Sequence, residues 1–582
     1  GAGNLTLNSD FVIQNQINGP GLLTINANSS WINGNLNRLF TVGATRTLTI
    51  NTASPKNLMQ NLTNNGTIDW QDGVINTFGS PTLTNNATWN ITGNNQMTYG
   101  NSPWTLINTG TITKTSGGSS DLSFISSVNN SGTINANGGS LDMASIGATT
   151  FTNTGTISLG GGAFTGGVSM TFNHNAGAIL KGTGTFTMQG VFNNNNGIIA
   201  PGASPGILTL NGAQPFSATC TLNIEVQDNT GPGTGHDQIL RNSNLTLAGT
   251  INVTETGTVN PGTFTIINLS PGTITNSGVT INVPSCYTYQ INSTTVTVTK
   301  AYPVVTCPDD FDLCINDGPY NLTGEMPTGG VYSGDGVTGN AFDPGDAGLG
   351  AHTITYTYTA MDGCVNTCSF VITVHPLPTI SFTGLASAYC INASVATLIG
   401  NHPGEGTFTG DGITDNMDGT ATFSPSVAGV GMHTVTYEYI DVNGCLNSST
   451  QNVTVNPLPV VSTGTYGPVC VDAADITLNG MPSGGTWSGT GVTGNTFDPS
   501  AGTQTLTYTC TDGNGCTNSA QTTITVNPLP TVTCPSNSTV CIDATPYALT
   551  GGMPLGGTYS GTGVSMGTFN PASAGAGTHT IT

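Results

Sequence analysis

Residues 484–499 read GGTWSGTGVTGNTFDP, an aromatic ahead of a Gly-rich turn followed by Phe-x-Pro, and the pattern occurs four times. The leading aromatics are Tyr332, Phe408, Trp487 and Tyr559; the second set is Phe342, Phe423, Phe497 and Phe569. Cys314, Cys390, Cys470 and Cys541 open the copies, and Cys364, Cys445 and Cys516 close the first three. Pro-Leu-Pro at 376–378, 457–459 and 528–530 separates them. The boundaries are 301–378, 379–459, 460–530 and an incomplete 531–582. Tandem near-copies do mechanical or display work in series, which points away from catalysis.

Composition narrows the class further. Thr, Val, Ile and Tyr alternate with small polar residues, the period of half-buried strands, and no helical periodicity competes. The expected fold class is all-β. Charged residues make up only 6% of the 582-residue chain. All seven Lys and Arg lie within residues 1–300, beside nine acids; residues 301–582 carry the other twenty acids and no Lys or Arg. That asymmetry sets a boundary near Lys300 and excludes nucleic acid as a partner, since nothing in the acidic half neutralises phosphate. No apolar run is long enough to span a membrane. Thirteen cysteines, with no CxxC pair, indicate an oxidising, extracellular compartment. The sequence starts at Gly1 without Met and stops within a repeat, as a piece of a longer polypeptide would.

A shorter repeat occupies the first part of the chain. Its copies are NNGTI (64–68), NTGTI (108–112), NSGTI (130–134) and NTGTI (153–157), with degenerate NAGAI (175–179) and NNGII (195–199). The marker positions Gly66, Ala87, Gly110, Gly132, Gly155, Gly177 and Gly197 step by about 22 residues, enough for a coil of three short strands. Residues 1–212 are thus read as a β-solenoid. The Ile of each Gly-Thr-Ile is expected to point inward. The Gly is expected at a corner with φ > 0, and the Asn is expected to bond its neighbour one coil on.

The stretch GIIAPGASPGILTLNG (197–212) resembles the last coil of autotransporter or haemagglutinin-type right-handed β-helices. The following TLNIEV (221–226), HDQI (236–239), LTLAGTINV (245–253) and GTFTIINL (262–269) are similar to the β-rich cap of such proteins. The resemblance implies a cap over 213–300, with Cys220 and Cys286 joined in a disulfide of its own.

Units of 70–80 residues with frequent turn signals suit Ig-like β-sandwiches. Within each copy the expected bridges are Cys314–Cys364, Cys390–Cys445 and Cys470–Cys516, with Cys307–Cys368 as an extra one in the first. Cys510, Cys534 and Cys541 have no assigned partner, and Cys510 competes with Cys516 for Cys470. The motifs GGTWSGTGVTGNTFDP, TDGNGC (511–516) and TVNPLP (525–530) resemble the Ig-like repeats of giant Bacteroidota surface proteins, including gliding-motility adhesins. That resemblance implies export by the type IX system.

Candidate sites are few. Asp335 and Asp411 sit in Gly-Asp-Gly turns, Asp343 and Asp498 in Phe-Asp-Pro, and Asp512 before Gly-Cys. Such loops offer oxygen ligands to calcium, the one cofactor considered, although Thr490, Thr562, Ser424 and Asn570 replace the acids in other copies. Asx-turns explain the same residues. His352, His433 and His579 share one strand position, as expected of a structural repeat. Trp31, Trp70, Trp89 and Trp104 serve either solenoid packing or glycan stacking. Asp69 and Asp72 are the nearest approach to a carboxylate pair, and Lys114 and Lys181 have no acidic cluster, so no catalytic residue is assigned.

The expected role is that of an extracellular, non-enzymatic surface adhesin or fibre-forming protein. The repeats would form a stalk and the solenoid the contact module, with cell-surface or matrix components, glycans among them, as partners. Self-association into filaments is a rival within that class. A polysaccharide-binding or polysaccharide-cleaving β-helix enzyme is the alternative outside it.

Overall fold

A coil of about 22 residues closes on itself only if each of its short strands pairs with the strand one coil on. The computed structural model, which describes residues 3–143, 147–202 and 205–582, shows this pairing throughout the N-terminal part. Three parallel sheets run side by side in sequence order, taking one strand per coil. The first comprises ten strands from Leu5–Leu7 to Val191–Asn194; the second runs from Phe11–Ile13 to Thr280–Asn282; the third runs from Ile17–Asn18 to the hairpin Tyr287–Ile291/Thr295–Lys300. The fold is all-β, with a parallel β-solenoid.

Alternate residues of each strand face one continuous core. The four expected isoleucines, Ile68, Ile112, Ile134 and Ile157, are buried and stacked in register, with Trp89 in the rung between Ile68 and Ile112. Trp31, Trp70, Trp89 and Trp104 are at most 1% exposed. Trp70 stacks on Trp89 at 6.1 Å, and Trp104 donates from Nε1 to the Ser123 carbonyl. These rings fill the core and present no face to a glycan.

Gly177 has the positive φ expected of a corner glycine, but the other marker glycines have a different cause. Gly110, Gly132 and Gly155 do not have positive φ. A Cβ at each would lie 2.1 Å from a carbonyl oxygen of the preceding coil, so close stacking is what favours glycine there. Ala87 holds the same place one coil earlier, so a methyl is accommodated at that rung.

The asparagines form a directional ladder inside the barrel. Nδ2 of Asn64 donates to Oδ1 of Asn85, and the relation repeats from Asn85 to Asn108, Asn108 to Asn130 and Asn130 to Asn153, at 2.6–2.7 Å. Asn153 then donates to Nδ1 of His174 at 3.1 Å, and the opposite ring nitrogen of His174 donates to the Ile198 carbonyl at 3.0 Å. The degenerate copies are longer at the corner, by two residues after His174 and by one after Asn194. Leu180, not Ile179, therefore pairs with Ile157, and Ile179 pairs with Thr156.

Strand pairing continues past Gly212, although Ala203 and Ser204 of the 197–212 motif lie outside the described residues. The first sheet stops at Val191–Asn194. The second is extended by Thr221–Val226, Thr250–Glu255 and Thr280–Asn282, and the third by Gln238–Arg241 and Gly262–Leu269. The antiparallel hairpin Tyr287–Ile291/Thr295–Lys300 closes that end on Gly262–Leu269. Lys300 Nζ meets both carboxylate oxygens of Glu255 at 2.8 Å, and Tyr287 donates to the same group.

By its internal contacts the chain forms two units. One comprises 1–309, 322–334 and 353–370; the other comprises 310–321, 335–352 and 371–582. The first repeat copy contributes to both. The second copy, within the latter unit, pairs two four-stranded sheets. Phe382, Leu398, Phe408, Phe423, Val435, Tyr437, Val453 and Val455 fill the space between them. Trp487 and Phe497 occupy the matching core of the third copy. The repeated aromatics are thus core residues there.

Burial holds the His174 pKa down to about 4, against its bond to the Ile198 carbonyl. The unfolded chain takes up a proton near 6.5 and the folded chain only near 4. The His174 contribution to stability is therefore greatest above pH 6.5, falls as pH drops through that window by up to about 3 kcal/mol, and levels off below it. Amide exchange in Thr149–Asn153 and Met170–His174 should show this loss, and His174→Asn should remove the pH dependence while continuing the ladder.

Candidate functional site

The outward side of the second solenoid sheet is as regular as its inward side. Thr47, Thr67, Thr88, Thr111, Thr133 and Thr156 stand in register on six successive coils, all half-buried. Beside them runs a second column of Thr49, Asp69, Asn90, Thr113, Asn135 and Ser158. Parallel strands repeat at about 4.8 Å, so this face carries hydroxyl and amide groups at a fixed period. An aromatic pair on the same unit, Tyr99 and Phe124, lies 5.3 Å centroid to centroid over a shallow hollow that includes Pro103, Ile125 and Thr149. Tyr99 is 50% exposed and is the ring available for stacking.

Two lysines of the solenoid are engaged in structure, whereas Arg46 and Lys181 are exposed. Lys56 and Lys114 are fully buried, with Nζ donating to the carbonyls of Ser54 (2.7 Å) and Ser116 (2.8 Å), among others. Burial lowers both pKa values, the nearby Asp72 opposing this at Lys56. Asp69 is bonded by Gln71.

The calcium candidates are not brought together. Among the described residues no group of three or more His, Cys, Asp or Glu is arranged to hold a metal. Asp343 and Asp498 accept from the backbone N–H of Gly345 and Ser500, each starting a short helical turn. Asp512 accepts from Asn514 and Cys516, and Asp411 faces His433 at 3.1 Å. Asp335 is exposed in its turn. The repeated histidines tie down the same helical turns. His352, His433 and His579 bond the carbonyls of Gly348, Gly429 and Gly575, and Gln504 bonds that of Ala501 in their place.

The cysteines depart most from expectation. Cys307 is joined to Cys368, but the other bridges are Cys286–Cys364, Cys314–Cys445 and Cys390–Cys516. The pairings Cys220–Cys286, Cys314–Cys364, Cys390–Cys445 and Cys470–Cys516 are therefore corrected. Cys220 is 1% exposed in the solenoid core, with its thiol pushed up to about 12 by burial, and it accepts from Asn194. Cys510 fills the core of the third copy as a free thiol. Cys470, Cys534 and Cys541 are exposed and unpaired.

The geometry gives the reason. The first three opening cysteines sit on strands parallel to the last residues before Pro-Leu-Pro: Cys314 opposite His375, Cys390 opposite Asn456, Cys470 opposite Asn527. Each closing cysteine lies at the start of a hairpin strand whose Asn, two residues on, donates to a proline carbonyl at or just before the start of its own copy. These bonds are Asn366 to Pro303, Asn447 to Pro378 and Asn518 to Pro459, at 2.8–3.0 Å. Opening and closing cysteines of successive copies thus meet at one junction. The legible signal was Cys286: counted as an opening cysteine, it leaves every closing cysteine a partner one copy back.

No family model matches the chain. Over 92 residues it is 37% identical to the adhesin BmaC autotransporter of Brucella suis biovar 1 (strain 1330). That match spans 15% of this chain and only 3% of the relative's length. Among solved structures, the Ca2+-stabilized adhesin with which an Antarctic bacterium reaches out and binds ice is 15% identical at TM-score 0.20, covering 40% of this chain and 76% of that one. The N-terminal eight Ig domains of Down Syndrome Cell Adhesion Molecule are 12% identical at TM-score 0.22, covering 43% and 44%. Superpositions at such scores carry no argument here.

In the HDQI motif, Asp237 is 1% exposed and accepts from Gly206 N at 2.7 Å and Glu225 N at 2.9 Å. Burial pushes its pKa up to about 7, against those two bonds, which favour the anion. Asp237→Ala leaves two buried N–H groups unpaired and should cost about 2–4 kcal/mol. Chemical denaturation followed by amide exchange at Glu225 reads this directly.

Proposed function

We propose that the protein is an extracellular adhesin that acts by binding rather than catalysis, with the solenoid as contact module and the tandem repeats as stalk. The observation that carries the reading is the outward Thr column with its polar neighbour column. A flat, periodic array of hydroxyls and amides suits an extended, repetitive ligand, such as a surface glycan, better than a small substrate. Three further points support it. The carboxylates are used as turn caps, four disulfides fit an oxidising exterior, and the local sequence match is to an adhesin. Export by the type IX route, implied by the resemblance of the repeats to gliding-motility adhesins, belongs to the same proposal.

The test is binding of the full oxidised chain to immobilised cell-surface polysaccharides. Replacing the column residues Thr88, Thr111 and Thr133 together by Arg should weaken binding at least tenfold. Val427→Arg, on an exposed helical turn of the second repeat, should leave it unchanged. Loss of binding in the second variant but not the first would move the contact site to the repeats. Release of unsaturated or reducing sugar ends would replace adhesion with the enzyme alternative.

A further inference from the structure

Three of the four disulfides step back by one copy. Cys364 reaches Cys286 ahead of the first copy, Cys445 reaches Cys314, and Cys516 reaches Cys390. We infer that this staggered connectivity makes the first three copies of the repeat array a load-bearing tether that tension cannot lengthen appreciably. It rests on covalent topology alone, so it stands or falls independently of what the solenoid binds.

Consider tension applied from the solenoid toward Thr582. Cys286–Cys364 removes 78 residues from the loaded path and Cys390–Cys516 removes 126. Between Cys286 and Cys516 only residues 364–390 can then be drawn out. A fully extended residue spans at most ~3.3–3.6 Å, so this segment yields about 9 nm where an unbridged chain would yield about 80 nm. Within it lies Pro376–Pro378, whose last carbonyl is held by Asn447.

The remaining bridges are spares. Cys314–Cys445 spans 131 residues but lies off the shortest path, so it carries no tension while its neighbours hold. If Cys390–Cys516 is lost, the path runs through Cys286–Cys364, then Cys368–Cys307, then Cys314–Cys445. The added length is limited to about 20 nm. If Cys286–Cys364 is lost, Cys307–Cys368 takes over and the added length is about 6 nm. Bridges confined to single copies would behave otherwise: each copy would be clamped alone, every junction would extend, and no copy would be covered by its neighbour's bridge.

Single-molecule stretching of the full chain from its two ends tests this. Full reduction should lengthen the final contour by roughly 70 nm. Oxidised C314S/C445S should match the parent, while C390S/C516S should be longer by about 20 nm. Lengthening of C314S/C445S by a similar amount would overturn the inference, because it is what pairing within copies produces. Peptide mapping of the unreduced parent needs no variant and must return the Cys314–Cys445 and Cys390–Cys516 crosslinks. Recovery of Cys314–Cys364 and Cys390–Cys445 instead would sink it outright.

Discussion

A parallel solenoid has no hairpins to set its register, so something inside the stack must keep one coil from sliding over the next. Here that constraint is the buried amide ladder from Asn64 to Asn153, ending on His174. A buried amide left without a partner is costly, and a one-residue slip would unpair every rung at once while turning the isoleucine stack outward. Both penalties act in the same register, and the outer Thr columns follow from it. Whatever the outer face contacts, its register is set by hydrogen bonds on the opposite side of the backbone.

Where the chain alternates strictly, the solenoid could be read residue by residue. The four Gly-Thr-Ile motifs predicted the inward isoleucines, and the Asn before each Gly predicted a coil-to-coil bond. The reading failed where length, not residue type, changed. Two extra corner residues after His174 place Leu180 in the isoleucine column, although NAGAI still looks like a copy. Positive φ explains the corner glycine at Gly177 but not those at Gly110, Gly132 and Gly155, because close backbone approach leaves no mark in sequence that distinguishes it from positive φ. Trp exposure was undecidable for a similar reason: a strand residue faces in or out by parity, and parity depends on register.

The disulfides show another limit. Spacing within a copy invited pairing within a copy, as in a conventional Ig-like domain. The decisive facts are three-dimensional: the opening cysteine lies on a strand beside the Pro-Leu-Pro junction, and the next copy's hairpin brings its own cysteine to the same place. Asn366, Asn447 and Asn518 hold the proline carbonyl that makes this meeting repeatable. Cys470, opposite Asn527, has the backbone setting of Cys314 and Cys390.

This arrangement also resolves a problem of charge. Residues 301–582 contain twenty carboxylates and no Lys or Arg, so Lys- or Arg-based ion pairs cannot contribute to the fold within them and like charges repel. The acids are instead used locally: Asp343, Asp441, Asp498 and Asp512 accept N–H groups in the turns that position the helical segments and the closing cysteines. Such caps shape turns but add little cohesion between copies. Cohesion falls to apolar cores and to covalent bridges, neither of which depends on pairing opposite charges. Placing the bridges across the junctions puts a charge-independent linkage between successive copies of a uniformly acidic array.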